Sequence, residues 1–153
     1  MKTTFKIEKY GPCSEGLDYY LSQDSVIEAW ENCQRGDWML WIASKIGVDL
    51  AIMTKAKALC ANTARHLMKD ERSTNAIDVA LKFSDGKATI KELDAAAAAA
   101  DAAYAAAAAT ADAADAAREK NRIKTAEICR KVLTGEVFNI VNGLAIVINT
   151  LKP

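Results

Sequence analysis

The sequence predicts an all-α chain, a compact multi-helix domain with one long alanine-rich helix. Three observations carry this prediction. N-cap patterns recur along the 153 residues, a Ser, Thr or Asp placed just ahead of apolar residues at helical spacing. Proline, which interrupts helices by removing an N–H donor, occurs only as Pro12 and Pro153. Residues 95–117 hold 18 alanines, the residue of highest helix propensity.

The elements follow in chain order. Residues 1–12 read as an N-terminal extension in which Phe5 and Ile7 suit a short strand. Ser14 can cap a short helix to about Ser22. Ser25-Val26-Ile27-Glu28 has the capping-box pattern, and the helix it starts carries Ile27, Trp30 and Cys33 inward and stops at Gly36. Asp37 can cap a helix from Trp38 to Ile46, with Gly47 past its end. Arg35-Gly36-Asp37 is then a turn between helices. Asp49 can cap a longer helix, about Leu50 to Met68, with Met53, Leu59 and Leu67 inward. Arg72-Ser73-Thr74 opens another, with Ile77, Ala80 and Leu81 on one face, ending before Asp85-Gly86.

Thr89-Ile90-Lys91-Glu92 is a second capping box and starts the alanine-rich run. At 100° per residue, Asp94, Asp101, Asp112, Asp115 and Glu119 fall within about 60° of one another. They form an acidic stripe opposite a face of methyl groups. That face suits a close helix contact, with Leu50–Met68, with Ile123–Leu133 folded back, or with the same helix of a second subunit. An unbroken helix from Thr89 to Leu133 would span about 68 Å, against a radius of gyration of about 15 Å for a chain of this size. The run is therefore expected to break, most readily at the polar stretch 118–122, to protrude, or to pair with another chain, and Gly135 offers a stop. Residues 136–153 form a tail element. Asn142-Gly143 is a hairpin signal, but Asn139, Asn142, Gly143, Asn149 and Thr150 recur at helical spacing, which favours a helix. If the hairpin forms, a small β element joins the two termini.

The 20 Lys+Arg balance the 20 Asp+Glu. A neutral chain argues against duplex nucleic acid, whose binding needs a cationic surplus to displace counterions. The first ten residues carry alternating charge and lack the apolar stretch of a signal peptide. The one long apolar run is interrupted by Asp101, Asp112 and Asp115, so no membrane-spanning helix is expected. Cys13, Cys33, Cys60 and Cys129 are scattered without a Cys-x-x-Cys pair, which reads as four reduced thiols and a cytoplasmic location.

No catalytic constellation emerges. His66 is the single histidine, six positions after Cys60 and out of helical register with it, so the pair cannot act alone. A site assembled from Cys60, His66 and Glu71 is the weakest of the function classes considered. One His and four separated Cys give no zinc spacing, and the seven glycines make no phosphate loop, so no metal and no cofactor are expected. The densest cluster of large side chains is Trp30 with Trp38-Met39-Leu40-Trp41. Trp38 and Trp41 share a helix side. These tryptophans serve either as core anchors or as an aromatic patch for a protein partner.

Two stretches together resemble a known family. Residues 29–49 read AWENCQRGDWMLWIASKIGVD. From Asn75 the chain reads NAIDVALKFSDGKATIKEL, then the alanine run, then AEICRKVL up to Leu133. This order resembles the Imm-five-like immunity proteins of bacterial polymorphic-toxin systems, which also occur in phages and mobile elements. In that family an aromatic helix pair precedes a short helix, a Gly-containing turn and a long Ala-rich helix ending in an Ile-Cys-Arg segment. The resemblance implies a small, non-enzymatic α-helical protein that neutralises a cognate toxin by binding it. Residues 1–10 and 136–153 lie outside the likeness. The expected function is therefore steric occlusion of a protein partner, with Trp38, Trp41, Asp101, Asp112 and Asp115 as candidate contact residues. The alternative is a phage or mobile-element assembly protein that forms homo-oligomers through its alanine-faced helix.

Overall fold

The computed structural model describes residues 5–107 and 115–150, with side-chain surroundings for 5–99 and 119–143. Across them the chain is helical, and no strand occurs among the described residues. The α-helices are α1 (Ser14–Leu21), α2 (Val26–Asn32), α3 (Gly36–Ile46), α4 (Leu50–Asn62), α5 (Glu71–Ser84), α6 (Ile90–Ala107) and α7 (Asp115–Thr150). Short 3₁₀ turns cover Ile7–Tyr10 and Arg65–Leu67.

Local chemistry sets many of the starts. Ser25 Oγ accepts the Glu28 N–H at 3.1 Å, and Asp49 accepts the Ala51 and Ile52 N–H groups. Thr89 and Glu92 complete a reciprocal capping box, with Thr89 N–H donating to Glu92 at 2.7 Å and Glu92 N–H to Thr89 at 3.3 Å. Gly47 ends α3 in the left-handed region at φ 86°. Other starts shift by a residue or two. Cys13 rather than Ser14 is the N-cap of α1, and Asp70 caps α5 by accepting from Arg72 N–H.

Helix α7 organises the core. Its Ala126, Cys129, Leu133, Val137 and Val141 are buried at spacings of three or four residues and face α2, α3 and α4. Trp30, Met39, Ala43, Met53, Ala56 and Cys60 meet them from the other helices. Helix α5 packs on α4, and α6 packs on α5.

Several expectations are corrected. Helix α2 ends at Asn32, and Cys33 is already extended, so Gly36 begins α3 instead of stopping α2. Asp37 lies in the first turn of α3, and Arg35 is the N-cap. A Cβ at Gly36 would lie 2.7 Å from the carbonyl carbon of Thr125, so glycine allows α3 to cross α7 closely. Ile27 is exposed, because Ala29 and Trp30 take the buried face of α2. Helix α4 ends at Asn62: Thr63 Oγ1 donates to the Cys60 carbonyl at 2.7 Å, and Arg65 then makes a two-pronged pair with Asp78 of α5. Leu67 is thereby 69% exposed, not inward.

The expected break at 118–122 does not occur. Arg122 pairs with Glu119 at i, i+3, and the Asn121 side-chain amide lies 2.8 Å from Thr63 Oγ1, so the polar stretch is held in helical form against the end of α4. Gly135 does not stop α7 either, and Asn142-Gly143 lies inside it. The buried row Leu133-Val137-Val141 outweighs both local signals, and the tail is helical through Thr150. The 36 residues of α7 span about 54 Å. No β element joins the termini among the described residues, where Ile7 opens a 3₁₀ turn.

The middle of the alanine run, including Asp112, lies outside the described residues. In its described part, α6 turns Ala96 inward and packs on α5, rather than on Leu50–Met68 or on a folded-back Ile123–Leu133.

Candidate functional site

A cavity of about 460 Å³ lies among the N-terminal segment, α1, α2, α3 and α7. That volume is within the range of small-ligand sites. Its walls come from five places in the chain. Phe5 and Ile7 enter from the N-terminal segment, Tyr19 and Tyr20 from α1, Ala29 and Trp30 from α2, Trp38, Trp41 and Ile46 from α3, and Val137 and Val141 from α7. All three tryptophans of the chain line it.

Each wall is fixed by a specific contact. The Trp30 indole N–H donates to Thr134 Oγ1 of α7 at 2.9 Å and ties α2 to the central helix. Tyr19 hydroxyl donates to the Ala29 carbonyl at 2.9 Å, and Tyr20 hydroxyl to the Phe5 carbonyl at 2.9 Å. Phe5 stacks on Tyr10 at 5.8 Å and meets Tyr20 edge-on at 6.4 Å. The segment before α1 is thus pinned across the cavity rather than trailing.

Two side chains pack against Trp38. The Arg35 guanidinium lies 4.3 Å from the centre of its ring, and Tyr19 tilts against it at 5.8 Å. Arg35 is itself held by both oxygens of Asp37, at 2.9 and 2.7 Å. That bond keeps the Asp37 carboxyl below, and the Arg35 guanidinium above, their ordinary ranges. Burial pushes Tyr19 up to about 12, with the neighbouring Cys33 adding to the effect. Burial likewise raises Cys33, whose thiol donates to the Arg35 carbonyl at 3.5 Å. Tyr19, Tyr20, Trp30, Cys33 and Asp37 therefore have their polar atoms engaged within the wall. What the cavity presents to an occupant is mainly apolar and aromatic surface, with no uncompensated charge.

Among the sequence-predicted residues, Trp38 and Trp41 meet in this cavity, both half-buried. They are neither sealed core nor a flat exposed patch. Of the acidic stripe, Asp94 and Glu119 are exposed. Asp101 lies on α6 and Asp115 on α7, outside the residues with described side-chain surroundings, and Asp112 lies outside the described chain. His66 is exposed on the turn after α4, Glu71 is exposed at the start of α5, and the Cys60 thiol faces α7. No group of three His, Cys, Asp or Glu among the described residues is placed to hold a metal ion. No described helix is long and apolar enough to cross a membrane.

Sequence reasoning missed Phe5, Ile7, Tyr19, Tyr20, Val137 and Val141 as parts of the site. Their only signal was local, apolar residues in an otherwise charged N-terminal segment and a period of four in the tail.

Comparison of the chain with family models, with curated proteins and with solved structures finds no match.

Proposed function

We propose that this chain is a non-enzymatic binding protein of the immunity type, which neutralises a cognate toxin or effector by covering its active cleft. The observation that carries the reading is the mainly apolar cavity at Trp38 and Trp41, in whose walls Tyr19, Tyr20, Trp30 and Asp37 already have hydrogen-bond partners. Such a cavity takes an apolar side chain of a partner without stranding a buried polar atom. Trp38, braced by Arg35 and Tyr19, supplies an aromatic wall held in place before binding, which lowers the entropy lost on binding. The four unpaired cysteines fit residence in a reducing cytoplasm.

The test is affinity capture of the effector from the native host, followed by inhibition of that effector by the purified chain. Trp38→Ala and Trp41→Ala are expected each to weaken binding more than tenfold, the scale of an interface hot spot, and to relieve inhibition in parallel. Unchanged inhibition by the double variant overturns the proposal.

The alternative is an assembly protein of a phage or mobile element built on helix pairing. It draws on Ala95, Ala97 and Ala98 of α6, which are exposed despite being apolar. Sedimentation showing a homo-oligomer that Ala98→Lys disrupts favours this second reading.

A further inference from the structure

Away from the cavity, α4 and α7 bring two buried thiols together. Ala56 lies one turn before Cys60 on α4, and Ala126 lies three residues before Cys129 on α7; both alanines are fully buried. Small residues at a crossing let helix backbones approach closely, and here they place the Cys60 and Cys129 sulfurs 3.9 Å apart. The two sit 69 residues apart in the chain. Each thiol also touches a backbone carbonyl, Cys60 that of Thr125 and Cys129 that of Gly36, both at 3.7 Å.

We propose that Cys60 and Cys129 form an oxidisable dithiol site, in which a hydroperoxide entering at Cys60 converts the pair to a disulfide that staples α4 to α7. The sulfurs need to close by about 1.8 Å to reach bonding distance, a shift within reach of side-chain rotation at a crossing lined by alanine. The order of events follows from exposure. Cys129 is sealed, at 0% exposure, whereas Cys60 retains 8%. Cys60 is also the more acidic of the two: the Cys129 thiol beside it lowers its titration, while Cys129 is itself raised. The Cys60 thiolate attacks one peroxide oxygen, the O–O bond breaks, and an alcohol or water leaves with the proton given up by Cys60. The Cys60 sulfur is then a sulfenic acid. Cys129 attacks that sulfur, the S–O bond breaks, and its thiol proton leaves with the hydroxyl as water. Two thiols lose two electrons, and the hydroperoxide is reduced by two. Cys33 and Cys13 take no part: the Cys33 thiol is turned to the Arg35 carbonyl, and Cys13 is exposed at the start of α1.

The experiment treats the reduced, folded chain with a small excess of hydrogen peroxide in native buffer, then quenches with catalase. Thiol titration is expected to fall from four to two per chain. Peptide mapping without reductant should show the Cys60 peptide joined to the Cys129 peptide, and dithiothreitol should reverse both changes. The oxidised chain should melt at a higher temperature, because the staple restricts the unfolded chain. In Cys129→Ser the cross-link is lost, and the Cys60 sulfenic acid becomes trappable with dimedone. In Cys60→Ser neither product forms. Four persisting thiols, a linkage through Cys13 or Cys33, or over-oxidation of Cys60 without a cross-link overturns the proposal. The parent chain alone supplies the deciding result, so a variant that fails to fold does not obscure it.

Discussion

The same substitution should have opposite signs at two glycines. At Gly36 a methyl group would sit 2.7 Å from the Thr125 carbonyl carbon, where ordinary contact begins at 3.4 Å. The obstacle is backbone of α7, and Thr125 Oγ1 is held by the Arg122 carbonyl at 2.9 Å, so nothing can rotate aside. Helix α3 must retreat by most of an ångström, which loosens Met39 and Cys129, now 1% and 0% exposed. Overpacking of this kind costs about 3 kcal/mol, the upper part of its usual range. Restricting the unfolded chain returns about 0.5–1 kcal/mol. Gly36→Ala is thus expected to lower stability by about 2 kcal/mol. Gly135 lies inside α7 with open space where its Cβ would be. There only the backbone term remains, and Gly135→Ala should raise stability by about 0.5–1 kcal/mol. Urea unfolding followed by far-UV circular dichroism measures both. A Gly36→Ala chain as stable as the parent would refute the close crossing of α3 and α7.

Three further outcomes follow from named contacts. Leu133→Ala, at a fully buried position, should cost about 2–5 kcal/mol, and Leu67→Ala, on an exposed turn, should stay within about 0.5 kcal/mol of the parent in the same urea assay. Trp30→Phe deletes the donor to Thr134 Oγ1 while that hydroxyl still donates to Arg130, so a loss of about 1–3 kcal/mol is expected, less than additive with Thr134→Ala. Arg72 holds Asp70 down at about 2 in the folded chain, below its ordinary 3.8; the stability this contributes is complete above about pH 4 and is lost as pH falls through about 2. Acid titrations of stability should therefore be shallower between pH 4 and 2 for Asp70→Asn than for the parent, and identical slopes would remove Asp70 from the acid limb.

Starts of helices were legible because a cap is a local event. Ser25, Asp49 and the Thr89–Glu92 pair each act within four residues, so their types and spacing suffice. Ends and continuations were not, because distant residues decide them. Gly36 looks like a stop until Thr125 is known to lie against it. The polar stretch 118–122 looks like a break until Thr63 is found bonded to Asn121. Asn142-Gly143 looks like a turn until Val137 and Val141 are seen in the core. The candidate site divides the same way. Trp38 and Trp41 stand out by density in the sequence, whereas the walls opposite them come from both ends of the chain. Cys60 and Cys129 carry no mutual signal at a separation of 69 residues.

The placement of every tryptophan of the chain around one cavity also makes that cavity the source of the protein's ultraviolet emission. Indole excited states respond to the polarity and the charges beside the ring. Here those are the Arg35 guanidinium at Trp38 and the Thr134 hydroxyl at Trp30. A guest that displaces water from the cavity shifts the emission to shorter wavelength, and no indole elsewhere dilutes the change. The purified chain thus carries a label-free optical reporter of its own occupancy, readable by exciting at the red edge where tyrosine does not absorb.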